Sequence, residues 1–223
     1  MGETKIKVCG LTHADDARFC AQLGIDMLGL NFSPQSSRCL DRQEAHEIRS
    51  AVRKDFAPMK FIGVFVDQPL DFVQQTIDEL ALDGVQLHGN ETPDLVSRIR
   101  SPFRIKALRV APDFRLTPKA FASDASAYNC DALLLDTWDA DRAGGTGKTF
   151  DWSMAEKFKS QVPRLILAGG LTPENVTEAI RMIEPFAVDV CSGVEDSPGR
   201  KDVVKLRRFV EAVRRKNETA IAT

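Results

Sequence analysis

Eight times along the chain a short apolar run gives way to a segment with helical spacing, and this alternation limits the folds open to it. The runs are Lys5 to Cys9, Asp26 to Phe32, Phe61 to Val66, Val85 to Leu87, Phe103 to Leu108, Ala132 to Asp136, Leu165 to Ala168 and Ala187 to Cys191. The helical segments follow from their spacing. Ala17, Cys20 and Ala21 fall at i, i+3 and i+4 behind a Thr12 cap, and Ala45, Ile48 and Val52 share a face, as do Val73, Thr76, Ile77 and Leu80. Val176, Ala179, Ile180 and Ile183 form another such face, and Val203, Leu206, Phe209, Val210 and Val213 the last. Thr92-Pro93, Thr117-Pro118 and Thr172-Pro173 each set a capping residue before a proline, which opens a helix, and one more helix starts near Asp151.

Strands that read as continuous apolar runs are covered on both faces, so the expected architecture is α/β, a single (β/α)8 TIM barrel. A doubly wound open sheet would show fewer strands and a phosphate or dinucleotide fingerprint at the first turn, which Cys9-Gly10-Leu11-Thr12 is not. No linker or low-complexity stretch divides the chain. Residues 1–223 are expected to form one domain, with residues 217–223 as a frayed polar tail.

Charge narrows the partners. Thirty Lys and Arg against 32 Asp and Glu give a net charge of -2, with no basic stripe to follow a phosphate backbone, so no nucleic-acid partner is expected. No apolar run nears the roughly 18 residues of a membrane span, and Met1 to Lys7 lacks the apolar core of a signal peptide. The expectation is a soluble, cytoplasmic protein, monomer or homodimer, acting on a small molecule. Cys9, Cys20, Cys39, Cys130 and Cys191 are scattered and odd in number, and His13, His46 and His88 lie far apart, so reduced thiols and no metal site are expected.

In such a barrel the carboxyl ends of the strands share one mouth, where active sites are built. Those ends carry Cys9, Asn31, Val66-Asp67, Gln86 with His88, Lys106 with Arg109, Asp136, Ala168-Gly169-Gly170 and Cys191-Ser192-Gly193. A structural thiol gains nothing from lying at the mouth, which makes Cys9 a candidate functional group, while Asp136 sits where a buried strand opens into a long loop. The small turns at Gly169, Gly170, Ser192 and Gly193 leave backbone N–H groups free to hold a phosphate. Arg38, in the Ser/Pro-rich loop after the second strand, has a guanidinium suited to a carboxylate. His88 reads either as a ligand contact or as a rim histidine, and Lys148 as meeting substrate or only water. The GGTGKT segment around Lys148 is not a nucleotide-binding P-loop, because Arg142 stands where that motif needs glycine and the loop is too long. Its glycines, Gly144, Gly145 and Gly147, suit a lid.

Taken in order, KVCGLT, the loop ending in Arg38, GVQLHGNE, LLLDT with GGTGKTFDW, LAGGLTPENV and FAVDVCSGVE with SPGRKD resemble the phosphoribosylanthranilate isomerase family of tryptophan biosynthesis. The resemblance covers nearly the whole chain. It implies a (β/α)8 barrel with Cys9 as general base, Asp136 as general acid, Arg38 on the anthranilate carboxylate, and Gly169, Gly170, Ser192 and Gly193 in the phosphate loops. No cofactor is implied. Cys39 stands where an aromatic residue is common in the family, and Asn90 where an acid is frequent, and neither touches the implied acid or base.

The implied reaction is an Amadori rearrangement, which needs one group to protonate a furanose oxygen and another to remove a carbon-bound proton. It calls for an apolar setting that keeps Asp136 protonated and a depressed Cys9 thiol. Three other readings are weighed against it. The histidine-pathway isomerase performs the same rearrangement with aspartates in both roles, whereas Cys9 stands at strand one here. Indole-glycerol-phosphate synthase is expected to carry an extension before strand one, which begins here at Lys5. A non-catalytic sugar-phosphate sensor would tolerate loss of acid or base, and both are present.

Overall fold

The computed structural model describes residues 3–53, 59–110, 127–137, 162 and 164–221. Eight strands close into a barrel in sequence order: β1 Lys5–Cys9, β2 Met27–Asn31, β3 Lys60–Phe65, β4 Gly84–Leu87, β5 Arg104–Val110, β6 Ala132–Thr137, β7 Leu165–Leu167 and β8 Ala187–Val190. All neighbours pair in parallel, and β8 returns to β1 with Lys7 opposite Asp189 and Val8 opposite Val190. The described helices are α1 Ala14–Gln22, α2 Arg42–Arg53, α3 Leu70–Leu80, α4 Pro93–Arg98, α5 Val176–Ile183 and α6 Val203–Ile221. The bounds of α6 run past residue 216, where the sequence reading stops the helix. The expected helices at Thr117-Pro118 and near Asp151, the loop of residues 138–149 and Lys148 lie outside the described residues.

Alternation along each strand separates two packed layers. Val8, Leu28, Leu30, Phe61, Phe65, Val85, Leu87, Leu133, Leu135, Val188 and Val190 point outward and meet the helices through residues such as Ala17, Ile48, Ile77, Ile180 and Phe209. Fully burying one such side chain contributes about 1.5–3 kcal/mol. The opposite set, Met27, Ile62, Ile105, Ala107, Leu134, Ile166 and Ala187, fills the barrel interior. Near the carboxyl ends the same inward register turns polar, at Cys9, Asn31, His88, Arg109, Asp136, Asp189 and Cys191. The mouth is therefore a continuation of the core pattern, with the residue type changed.

Two helix starts differ from their sequence-based placement. Thr12 does not cap α1; His13 holds that position, and the Thr12 hydroxyl donates instead to the Gly199 carbonyl at 2.8 Å. Thr172-Pro173 opens a turn rather than a helix, because the Asn175 side chain accepts from Thr172 N–H at 2.8 Å and donates to the Gly170 carbonyl at 2.9 Å, delaying α5 to Val176. Thr92 does cap α4, its hydroxyl accepting from Leu95 N–H at 3.3 Å ahead of Pro93.

Beyond β8, a short 3-10 turn at Ser192–Val194 leads into a hairpin, β9 Glu195–Ser197 and β10 Arg200–Lys201. This hairpin fastens the seam where the barrel closes. Lys201 Nζ donates to the carbonyls of Cys9 at 2.7 Å and Cys191 at 3.3 Å, and its backbone N–H donates to Asp16 at 2.9 Å. Among the described residues, no helix is long and apolar enough to cross a membrane.

Candidate active site

The inward residues at the strand ends line one open pocket at the mouth of the barrel. Cys9, Arg38, His88, Asp136, Gly169, Gly170, Ser192 and Gly193 all reach it. Of the other strand-end candidates, Arg109 lines it too, whereas Lys106 points outward into a buried pair with Glu91 at 2.6 Å.

Asp136 is buried near the end of β6, and its Oδ2 lies 3.1 Å from His88 Nε2. The other ring nitrogen, Nδ1, lies 2.8 Å from Gln86 Nε2. The ring is thus held between the Gln86 amide and the Asp136 carboxyl group, one on each nitrogen. The Arg109 guanidinium donates to the His88 carbonyl at 2.9 Å and fixes the backbone at the same point. The surroundings of Asp136 are accordingly not the apolar setting expected from sequence. His88 is brought into direct contact with the carboxylate.

Cys9 closes β1 on the other side of the pocket. Burial pushes its thiol above the ordinary value; Lys7 and Lys201 pull it down and Asp189 adds to the rise, with the net effect upward. The expected depressed thiol is therefore not found. The physical reason is depth: the sulfur loses more hydration than the nearby ammonium groups return. Below it Lys7, with no exposed surface, pairs with Asp189 at 3.1 Å. Burial alone would lower the Lys7 ammonium, but Asp189 and Cys9 outweigh it and hold the group above the ordinary lysine range.

Arg38 does not stand free to meet a ligand. Its Nε donates to Glu195 Oε1 at 2.8 Å and its Nη2 to Oε2 at 2.5 Å, while Lys201 Nζ reaches Oε1 at 2.8 Å. Burial would raise the Glu195 carboxyl, yet Arg38 and Lys201 prevail and hold it below the usual range. Glu195 thus occupies the Nε–Nη2 edge of the guanidinium.

The loops after β7 and β8 meet closely. Gly169 and Gly170 hold positive φ angles of 88° and 65°, and a Cβ on Gly193 would run into the Leu171 carbonyl. Only glycine lets these backbones approach and still line the pocket. Gly169, Gly170, Ser192 and Gly193, the residues of the expected phosphate loops, lie together on the pocket wall. No group of three or more His, Cys, Asp or Glu placed to hold a metal ion occurs among the described residues.

Sequence reading assigned no role to four charged residues now at the site: Lys7, Asp189, Glu195 and Lys201. Parity could have found two of them, since Lys7 and Asp189 sit two residues before Cys9 and Cys191 and must share their inward face. Glu195 and Lys201 gave no such signal, because the hairpin that carries them has no period linking it to the barrel.

Fold and site together define a (β/α)8-barrel enzyme of the acid–base class, with thiol, carboxylate and guanidinium on one pocket beside glycine-rich loops. The family profile of N-(5'phosphoribosyl)anthranilate (PRA) isomerase matches residues 6–212. An N-(5'-phosphoribosyl)anthranilate isomerase of Pelobacter propionicus is 41% identical over 206 residues, 92% of this chain and 93% of its own. The phosphoribosyl anthranilate isomerase of Thermotoga maritima superposes with a TM-score of 0.83 at 34% identity, over 95% of this chain and 98% of that one. A further phosphoribosyl anthranilate isomerase structure, in complex with reduced 1-(o-carboxyphenylamino)-1-deoxyribulose 5-phosphate, gives a TM-score of 0.79 at 32% identity, covering 95% and 98%. The chain belongs to the N-(5'-phosphoribosyl)anthranilate isomerase family.

Proposed function

We propose that the protein converts N-(5'-phosphoribosyl)anthranilate to 1-(2-carboxyphenylamino)-1-deoxyribulose 5-phosphate, as a cytoplasmic enzyme of tryptophan biosynthesis, with Asp136 as general acid and Cys9 as general base. The observation that carries the reading is the convergence of Cys9 and Asp136, distant in sequence, on one pocket that also holds Arg38 and the glycine-rich loops. The relative in complex with the reduced deoxyribulose phosphate supports the choice of ligand.

The chemistry follows from what each group can do. Asp136 gives a proton to the furanose oxygen, the C1'–O4' bond breaks, and the anthranilate nitrogen lone pair forms the C1'=N iminium. The iminium acidifies the C2' proton, which the Cys9 thiolate removes. The resulting enolamine takes a proton at C1' and loses one from the C2' hydroxyl, giving the ketone. Atoms balance and no electrons leave the substrate, so the product is an isomer.

His88 touches the acid, its Nε2 3.1 Å from Asp136 Oδ2, and orients the carboxyl group. Arg38 receives the anthranilate carboxylate on its Nη1 side, and Gly169, Gly170, Ser192 and Gly193 hold the phosphate at the end opposite the aromatic ring. The test is to follow anthranilate fluorescence after adding freshly made phosphoribosylanthranilate. Rapid enzyme-dependent change of the signal is expected. Absence of consumption, alongside turnover of the histidine-pathway substrate, would overturn the assignment.

A further inference from the structure

Beneath the Cys9 sulfur lies a charge pair that the acid and base roles leave unused. Lys7 and Cys9 are two residues apart on β1, so both point into the barrel, with Lys7 one layer deeper. Lys7 Nζ stands 3.1 Å from each carboxylate oxygen of Asp189, its register partner on β8. The same ammonium lies beside the Cys9 sulfur, both bordering the space next to Gly29. Gly29, the register partner of Cys9 on β2, keeps that contact open: a Cβ there would stand 2.7 Å from Cys9 Sγ and 3.1 Å from Lys7 Nζ.

A buried ion pair is a poor device for stability, because its desolvation cost is repaid no better than by an apolar pair of the same volume. Other interior positions of this barrel are filled in that cheaper way, by Ile62, Ile105, Leu134 and Ile166. A charge kept there acts on its neighbour, and the neighbour is the thiol. We propose that Lys7, held in place by Asp189, is the cation that stabilises the Cys9 thiolate, so that the base of the isomerisation is a thiolate–ammonium pair. The inference rests on the assignment of Cys9 as base.

The charged and titratable groups around the sulfur are Lys7 on its own strand, Asp189 and Cys191 on the β8 side, Lys201 on the hairpin and Arg38 in the loop after β2. Lys201 is already committed to Glu195 at 2.8 Å and to the Cys9 and Cys191 carbonyls, and Arg38 to Glu195. Lys7 has one anionic partner and a second place beside it. On ionisation the thiol proton passes to water in the open mouth, Lys7 keeps its own protons, and the sulfur carries the charge against the ammonium.

The test is the pH dependence of iodoacetamide alkylation of the unliganded full-length protein, read at the Cys9 peptide by mass spectrometry. Lys7→Met should raise the thiol pKa by about one unit and slow alkylation at pH 8 about tenfold. Asp189→Asn, which removes the opposing charge and keeps the cation, should shift the titration the other way. Lys7→Met leaves a buried carboxylate unpaired, so the double variant K7M/D189N serves where the single one does not fold, and it too should titrate above wild type. A packing role would not give opposite shifts for Lys7 and Asp189. Wild-type titration of Cys9 in K7M and K7M/D189N overturns the proposal. Because alkylation reads the thiol without turnover, that failure is distinct from full activity in Cys9→Ser, which would overturn the base assignment itself.

Discussion

The Arg38 guanidinium and the Glu195 carboxylate meet edge to edge, Nε to Oε1 at 2.8 Å and Nη2 to Oε2 at 2.5 Å, joining the loop after β2 to the hairpin after β8. Two parallel charge-assisted bonds fix the plane of the guanidinium as well as its position. On the proposed role of Arg38, an arginine fixed in this way would grip a carboxylate at lower entropy cost.

Arg38→Ala should therefore act chiefly on affinity. A hydrogen bond to a charged group contributes about 1.5–3 kcal/mol, which corresponds to a KM increase of roughly tenfold to a hundredfold. Glu195→Gln keeps the side-chain shape but loses the charge that aims Arg38, and a smaller rise, about fivefold, is expected. Steady-state kinetics with varied phosphoribosylanthranilate checks both, and an unchanged KM in Arg38→Ala would count against the carboxylate role.

His88 bridges Gln86 and Asp136, at 2.8 Å and 3.1 Å. If it serves the acid, His88→Asn should lower kcat about tenfold or more with little change in KM, and should move the limb of the pH–rate profile that belongs to the acid. Gln86→Met removes the ring's second partner and should move kcat in the same direction by less. A His88 variant that raises KM alone would make the residue a binding group.

Stability should decline toward alkaline pH through buried thiols. Burial pushes both Cys20 and Cys191 up to about 12, from an ordinary value near 9. Between those values the unfolded chain has released the thiol protons and the folded chain still holds them, so rising pH favours unfolding. Cys20 lies on α1, with no exposed surface and away from the pocket. In Cys20→Ala the fall in unfolding free energy between pH 9 and pH 11, measured by urea titration, should be shallower than in wild type; an unchanged slope would show that this thiol does not carry the effect.

Much of the barrel could be read from sequence because its strands are apolar runs with breaks between them, and Thr92-Pro93 marks its helix start by local chemistry alone. Local chemistry failed at Thr172-Pro173, where the Asn175 side chain competes for the same backbone groups. At the site, residues that announce themselves by type at a strand end, Cys9, Asp136 and His88, were legible. Glu195 was not, since its meaning depends on a hairpin folding back across the barrel seam onto Arg38. The state of the Cys9 thiol was misjudged for a related reason: the sequence shows a thiol at a strand end but not how deep the strand end lies.

The central claim is that Cys9 and Asp136 are the base and the acid, and single-turnover fluorescence with Cys9→Ser and Asp136→Asn tests it most directly. Each variant should bind substrate and keep the barrel's circular dichroism, yet convert phosphoribosylanthranilate about a hundredfold to ten-thousandfold more slowly than wild type. Conversion by either folded variant at close to the wild-type rate would contradict the account.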